Sequence, residues 1–196
     1  MKITSVTGKH ICLRPFLEQD IETVFQWRCD ISDLHLWFQR PEVLSFQEFI
    51  EDFDKFTRGF CHILQIICTP VSQTPIGMTY SYKADYFNGH VFVCTFVDSK
   101  HRNYLYGAEA SLLFTDYLFS YYPFRKVYAE VYEHNVASRN NLIKGGWIQE
   151  GQLKKHIWRI GEYKDMFIYA LYREYFYERY SRLLRNIILP NKEDAA

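Results

Sequence analysis

The chain has 196 residues, of which 48% are hydrophobic and 18% aromatic, and its 23 Lys and Arg residues balance its 23 Asp and Glu residues. A chain of this length can bury a sizeable core without a disulfide or a metal. Its zero net charge gives no electrostatic reason to expect nucleic acid or an anionic membrane as the main partner. We therefore expect one soluble domain over residues 1–196.

The cysteines and the apolar runs indicate which kinds of protein this chain is not. The five cysteines are odd in number and form no C-x-x-C pair, which argues against a disulfide framework and a zinc site. No stretch approaches the ~18 apolar residues of a membrane helix, and the start lacks the apolar core of a signal peptide. These patterns predict a cytoplasmic protein with no metal and no membrane partner.

The first elements are a strand and two helices. Residues 10–16 alternate like a strand, and residues 18–29 carry apolar side chains at helical spacing behind Asp20, the predicted N-cap. Ser45 begins a second helix over 45–57, because Glu48 stands three residues later as in a capping box.

Strands dominate the middle of the chain. Apolar and alternating runs predict strands over 61–69, 76–86 and 90–97, the last two joined by a hairpin turn at Asn88–Gly89. The same patterns predict the remaining elements: a helix over 107–121, a strand over 126–133, a helix over 136–144, strands over 147–160 and 163–172, and a helix over 174–188. This order indicates a mixed α/β fold with an antiparallel block, not a doubly wound parallel sheet.

The loop between the strand 90–97 and the next helix has the features of an anion-binding site. The strand that ends at Val97 is followed by Lys100, His101 and Arg102, and then by a helix that opens at Gly107. Free N–H groups and the positive end of the helix dipole favour an anion at a helix N-terminus, and glycine allows close approach. The alternative is an ordinary strand–loop–helix connection.

A second segment carries a family resemblance. Residues 135–147 have the pattern N-x-x-S-x-x-x-x-x-K-x-G-W, followed by Glu150-Gly151. This pattern resembles the second cofactor segment of the GNAT superfamily of N-acetyltransferases, in particular its RimJ/RimL-like branch. The resemblance extends over nearly the whole chain. Near the start it includes L-R-P at 13–15, Asp20 and W-R at 27–28, and in the middle it includes I-G at 76–77. Near the end it includes G-Q-L-K at 151–154, G-E-Y-K-D at 161–165 and Y-A-L-Y at 169–172.

The resemblance implies a fold and a place for acetyl-CoA. The expected GNAT fold is a central, mostly antiparallel mixed sheet of about seven strands, flanked by helices and closed by a C-terminal helical extension over 173–196. Acetyl-CoA is expected where strands 90–97 and 126–133 splay apart, with its pyrophosphate on the loop 102–107 and its pantetheine arm along the strand end near Val97.

The same resemblance implies the residues that contact the cofactor. The Val97 N–H is the candidate to polarise the thioester carbonyl. Asn135 could instead cap a helix, and Asn141 could be a solvated helix residue. Leu105 stands where the family has glycine, so it restricts φ and crowds the phosphate. The implied set is Thr95, Phe96, Val97, Arg102, Asn103, Tyr104, Leu105, Tyr106, Gly107, Ala108, Asn135, Ser138, Asn141 and Lys144.

Acid and base groups match the family less well. Phe92 and Leu142 stand where many members have a catalytic glutamate and a catalytic tyrosine. Ser138 is the best candidate for the acid that protonates the departing thiolate, although a hydroxyl at a helix start can simply serve the backbone. Base candidates flanking the cleft are His90, Glu130 and His134; each has a structural or solvated alternative, and a water relay needs none of them.

Aromatic side chains are expected to shape the acceptor pocket, since they fall in elements that border the acceptor side in the family: Phe25, Trp27, Trp37, Phe38 and Tyr80. Each could instead be core. Such a pocket suits an amine carried on an apolar or planar body. The expected function is acetyl transfer from acetyl-CoA, by direct attack, to a small amine or a protein N-terminus.

One alternative function stays open: a non-catalytic acyl-CoA-binding or interaction module that keeps the fold. The missing glutamate and tyrosine, and Leu105, motivate it. The tail helix is expected to pack on the domain or on a dimer mate, so the protein is predicted to be a monomer or a homodimer.

Overall fold

Eight strands pair into one mixed sheet. The computed structural model describes residues 5–30, 43–102, 105–159 and 161–188. The strands are β1 (Val6–Thr7), β2 (Cys12–Pro15), β3 (Cys61–Cys68), β4 (Pro75–Asp85), β5 (His90–Val97), β6 (Lys126–Tyr132), β7 (Ile148–Arg159) and β8 (Glu162–Tyr172). Their order is β1-β2-β3-β4-β5-β6-β8-β7, with β5 and β6 parallel and the other neighbours antiparallel.

The mostly antiparallel GNAT-type sheet is confirmed, with one strand more than the predicted seven. The additional strand is β1, whose two residues are too few for an alternating pattern to show. Its partner β2 is shorter than the predicted 10–16. The hairpin between β4 and β5 forms where the Asn88–Gly89 signal predicts it, with Gly89 at φ +69.

Among the described residues, five helices pack against the sheet: α1 (Ile21–Cys29), α2 (Phe46–Lys55), α3 (Tyr106–Tyr121), α4 (Val136–Lys144) and α5 (Arg173–Ile187). The predicted capping box is present, because Ser45 Oγ accepts from the Glu48 N–H and Glu48 accepts from the Ser45 N–H. Among the helices described, none is long and apolar enough to cross a membrane.

Asp20 stands at the N-cap position of α1, as predicted, but its side chain does not cap the helix. Its carboxylate is buried and takes two hydrogen bonds from Arg14, at 2.7 and 2.8 Å, and its side chain makes no cap bond to α1. A bidentate, charge-assisted pair is stronger than a neutral cap contact. Residues Glu18–Asp20 instead form a short 3-10 turn ahead of the helix.

The two largest cores lie on opposite faces of the sheet. On one face, α3 and α5 pack on β5 and β6 through Phe114, Phe176, Val91 and Val127. On the other face lies a second core, which contains side chains of α1, α2, β4 and β5: Trp27, Phe49, Tyr80, Tyr82 and Phe96. Because strand side chains alternate between faces, β5 presents one set of residues to α3 and another to α1 and α2.

An ion pair between Lys126 and Glu150 joins the strands at the far end of the sheet. The Glu150 carboxylate of β7 accepts hydrogen bonds from Lys126 Nζ at 2.8 Å, from the Tyr128 hydroxyl at 2.7 Å and from the Tyr172 hydroxyl. Partial burial alone would raise the pKa of Glu150, but these donors outweigh it and lower the pKa to about 2. The network therefore joins β6, β7 and β8 and favours the ionised carboxylate.

We predict that Glu150→Gln lowers the free energy of unfolding at pH 7 and that this difference from the wild type shrinks as pH falls. The folded-state pKa is below the unfolded value, so the stabilisation is present above about pH 4.5 and is lost towards pH 2. Urea titrations at several pH values measure it. Glu162→Gln, at an exposed carboxylate on the next strand, is the control; an equal pH dependence in both variants would contradict the prediction.

Candidate active site

A gap opens between the parallel strands β5 and β6. The two strands pair over three residues each, and the last pair is Phe92 with Tyr128, whose rings stack at 4.9 Å. Both strands are described throughout, and past this pair no residues of β5 and β6 are paired. Residues 93–97 therefore diverge from residues 129–132. We call the gap between them the cleft.

The backbone of β5 faces the cleft with polar groups that bond no neighbouring strand. In an antiparallel pair, residues that bond the neighbouring strand alternate with residues whose N–H and C=O point away from it. The Asp98 N–H donates to the Ile76 carbonyl at 2.9 Å, so alternate residues before Asp98 bond β4. Thr95 and Val97 thus direct their N–H and C=O groups into the cleft. An extended ligand with amide groups can bond them as a strand would.

The end of the cleft runs directly into the start of α3. A Cβ on Gly107 would lie 3.4 Å from Val97 Cγ2, so the first turn of the helix lies against the end of β5. Arg102 Nε donates to the Val97 carbonyl at 3.1 Å, and its guanidinium lies 6.0 Å from the Phe96 ring. Basic charge and the N-terminal turn of a 16-residue helix therefore meet at one point.

Leu105 is compatible with this turn. It stands at the helix N-cap with φ −72°, a value open to any L-residue, and its side chain is 74% exposed. The expected restriction of φ therefore causes no strain. Leucine has no polar side-chain atom with which to cap the helix, so the N–H groups of Gly107 and Ala108 can bond an anion. The predicted contacts Asn103 and Tyr104 lie outside the described residues.

The Thr95 side chain serves the scaffold. Its hydroxyl accepts from Ser111 Oγ at 3.1 Å and lies 3.0 Å from Thr79 Oγ1, which also donates to the Cys94 carbonyl at 3.1 Å. This chain of hydroxyls joins β4, β5 and α3 beside the cleft. The contribution of Thr95 to a ligand therefore comes from its backbone.

Helix α4 borders the other side of the cleft. The Asn135 side chain accepts from the Ser138 N–H at 3.1 Å, so Asn135 does cap the helix. In the part of the chain that the structure describes, the half-buried Ser138 hydroxyl has no hydrogen bond, so it does not serve the backbone. Asn141 and Lys144 are exposed, and the Lys144 carbonyl accepts from Arg179.

The three base candidates occupy different places. Glu130 is two residues past the last β5–β6 pair, on the cleft side, and its side chain is 10% exposed. His134 follows β6 and stacks on Tyr132 at 5.5 Å. His90 lies at the closed end, where β5 and β6 are paired, edge-on to the Tyr128 ring. The structure thus brings Glu130 and not His90 to the open part of the cleft.

The Glu130 carboxylate reaches across β5. It accepts from the Tyr82 hydroxyl at 3.0 Å and from Lys83 Nζ at 2.9 Å, both on β4. Because β5 lies between β4 and β6, these bonds pass over β5, and Lys83 Nζ is 4.9 Å from the Phe92 ring. Burial and the charge of Glu130 raise the pKa of Tyr82, which keeps its hydroxyl a donor.

Aromatic side chains line this same face of the sheet. Trp27 is buried against Phe96 at 5.5 Å, and Tyr80 is buried against Phe56 at 5.0 Å. Phe25 is half-buried between α1 and α2, in ring contact with side chains of α2. Trp37 and Phe38 lie outside the described residues.

Sequence reasoning missed Tyr82 and Lys83. Tyr82 could have been found, because alternation along β4 puts it on the same face as Tyr80. Lys83 gave no such signal, since a break in the β4–β5 register between Tyr82 and Asp85 changes the direction of its side chain.

Comparison with known proteins agrees with the cleft and the fold. Residues 10–148 match the sequence profile of the acetyltransferase (GNAT) domain. The chain is 27% identical over 181 residues to YokL of Bacillus subtilis strain 168, an uncharacterised N-acetyltransferase derived from the SPbeta prophage, with 90% of this chain and 97% of YokL covered.

Solved structures share the fold at low identity. Spermidine N-acetyltransferase of Vibrio cholerae, crystallised with CoA and spermine, superimposes with a TM-score of 0.77 at 17% identity, over 85% of this chain and 98% of that chain. A GCN5-related N-acetyltransferase of Brucella melitensis gives a TM-score of 0.76 at 18% identity, over 94% of this chain and 86% of that chain.

The family match covers well over half of the chain and includes β5, the start of α3, β6 and α4, which together form the cleft. The chain therefore belongs to the GNAT acetyltransferase family and is an acetyltransferase that uses acetyl-CoA as the acyl donor.

Proposed function

We propose that the protein transfers the acetyl group of acetyl-CoA to the primary amine of a small molecule by direct attack. The observation that carries this proposal is the position of the Glu130 carboxylate. Many family members have a glutamate where this chain has Phe92, and Glu130 of the neighbouring strand holds a carboxylate beside the Phe92 ring, through Lys83 Nζ. A carboxylate that can accept the amine proton is therefore available at the same place.

Each part of the cleft has a role in this proposal. Arg102 and the first turn of α3 bind the pyrophosphate, and the backbone of Thr95 and Val97 binds the pantetheine arm. The Val97 N–H stabilises charge on the thioester oxygen. Glu130 takes the proton of the attacking amine, and the free Ser138 hydroxyl protonates the departing thiolate.

Direct attack is favoured over an acetyl-cysteine intermediate. Cys94 is the cysteine on the acceptor face of β5, and burial raises the pKa of its thiol to about 11. A thiol that stays protonated at neutral pH is a poor nucleophile. The amine therefore attacks the thioester itself. All five cysteines are free thiols, which supports a cytoplasmic location for the reaction.

A protein N-terminus is the second candidate acceptor, since residues 135–147 resemble the RimJ/RimL-like branch. The fold neighbour crystallised with CoA and spermine is a spermidine N-acetyltransferase, and this favours a small amine. The Glu130 side chain is only 10% exposed and accepts from the Tyr82 hydroxyl. A carboxylate this buried is easier for a small amine to reach than for the N-terminus of a protein.

The activity is tested by CoA release from acetyl-CoA with a panel of monoamines, polyamines and short peptides. We expect a small primary amine to accelerate thiol release and peptides to have little effect. If CoA binds but no acceptor accelerates its release, the chain is a non-catalytic acyl-CoA-binding module.

Arg102→Ala is expected to weaken CoA binding about tenfold or more, because a charge-assisted hydrogen bond to a phosphate is lost. Isothermal titration with CoA measures the dissociation constant. Arg58→Ala removes an exposed arginine that pairs with Asp54 on α2 and should leave the affinity unchanged. Equal affinities in both variants would remove Arg102 from the proposed phosphate site.

Ser138→Ala is expected to lower kcat about a hundredfold, in the range of a lost general acid, and to leave the CoA dissociation constant nearly unchanged. Asn135 caps α4, so the helix should persist without this hydroxyl. Ser120→Ala, at an exposed hydroxyl near the other end of α3, is the matched control. An unaltered kcat in Ser138→Ala would mean that water protonates the thiolate.

A further inference from the structure

The backbone of β4 is distorted where it meets Glu130. The β4–β5 register shifts between Tyr82 and Asp85, and Lys83 has φ +48°, in the left-handed region that a residue with a Cβ seldom adopts. In a regular strand, Tyr82 and Lys83 would point to opposite faces. Here both reach the same carboxylate, one on each oxygen. The distortion therefore aims the Lys83 ammonium at Glu130.

The surroundings of Lys83 Nζ are those of a primary-ammonium site. Nζ is 2.9 Å from Glu130 Oε1, 4.9 Å from the centre of the Phe92 ring and 5.6 Å from that of the Tyr82 ring. Ring faces attract a cation at these distances, and a carboxylate supplies the opposite charge. Such a site recognises a cation through the charge of the carboxylate and through the flat, apolar rings beside it.

The two partners of the ion pair are buried unequally. The Glu130 side chain is 10% exposed, whereas the Lys83 side chain is 53% exposed. A buried carboxylate requires a cation close to it, but the Lys83 stem can swing into solvent at little cost. A different primary ammonium could thus take the place of Nζ while Glu130 remains neutralised.

We propose that Glu130, Tyr82 and Phe92 form a binding site for one primary ammonium group, that Lys83 occupies this site in the free enzyme, and that the acceptor amine displaces it. The inference rests on the proposed function, because it identifies this site with the acceptor side of the cleft. Lys83 is a built-in competitor, so it sets the amine concentration at which the enzyme begins to work.

The site favours a monoamine with a flat apolar body. One carboxylate oxygen is taken by Tyr82, which leaves the other for a single ammonium. Phe60 stacks on Tyr82 at 4.8 Å and extends the aromatic wall. The site contains one carboxylate, that of Glu130, whereas a polyamine has several ammonium groups that each require a counter-charge. An arylalkylamine fits these surroundings better than spermidine.

The test is a titration of the CoA-bound full chain with 2-phenylethylamine and with spermidine. Lys83→Asn removes the ammonium, and asparagine tolerates positive φ. We expect it to tighten 2-phenylethylamine binding about tenfold, the gain when a competitor that fills the site nine-tenths of the time is removed. Lys83→Arg keeps a cation on Glu130 and should bind as the wild type does. Glu130→Gln should abolish binding.

Lys164→Asn is the matched control, since Lys164 pairs with Glu162 on β8 away from the cleft. In steady-state assays, Lys83→Asn should lower KM by the same factor and leave kcat within about twofold. Unchanged or weaker amine binding in Lys83→Asn, or tighter spermidine than 2-phenylethylamine binding, overturns the inference. Amine binding that follows the expected order without any release of CoA from acetyl-CoA would instead refute the proposed function and leave the ammonium site standing.

Discussion

The parting of β5 and β6 after Phe92 and Tyr128 is the constraint on which the site depends. A parallel pair that continued would use the N–H and C=O groups of Thr95 and Val97 in the sheet. Because it stops, both backbone groups of Thr95 and the Val97 N–H have no strand partner on this side, at the point where α3 begins, and the Val97 carbonyl accepts from Arg102 instead. Helix α3 stays in place beside the cleft because the Ser111 hydroxyl on α3 donates to the Thr95 hydroxyl on β5.

In the proposed function, the sheet also separates the two substrates. One face of β5 packs on α3, beside the proposed donor site, and the opposite face carries Phe92, Cys94 and Phe96 beneath α1 and α2. Alternation along one strand is enough to produce this division. Glu130 is on the acceptor face, so its carboxylate can meet an amine that approaches from the side opposite α3.

Much of this arrangement is predictable from sequence because it follows from local rules. The strand alternation, the periodicity of α3 and the Ser45–Glu48 box each act within one element, and each is present. Asp20 stands at the predicted N-cap, but the partner of its side chain was not predictable, because a contact with Arg14, six residues away, replaces the local cap bond. Lys83 was missed for a similar reason. Its direction is set by a backbone irregularity and by Glu130, 47 residues later, and no pattern within β4 encodes either.

The contacts around Glu130 give a physical explanation for one departure from the family pattern, the phenylalanine at position 92. Where many family members have a glutamate, Phe92 places an aromatic ring on β5, and its face adds cation attraction without a second negative charge beside Glu130. Glu130 on β6 keeps one carboxylate near the cleft. Lys83 supplies the cation that this buried carboxylate favours in the absence of substrate. In the proposed ammonium site, Phe92, Glu130 and Lys83 therefore act together, because the ring and the carboxylate attract whichever ammonium group is present.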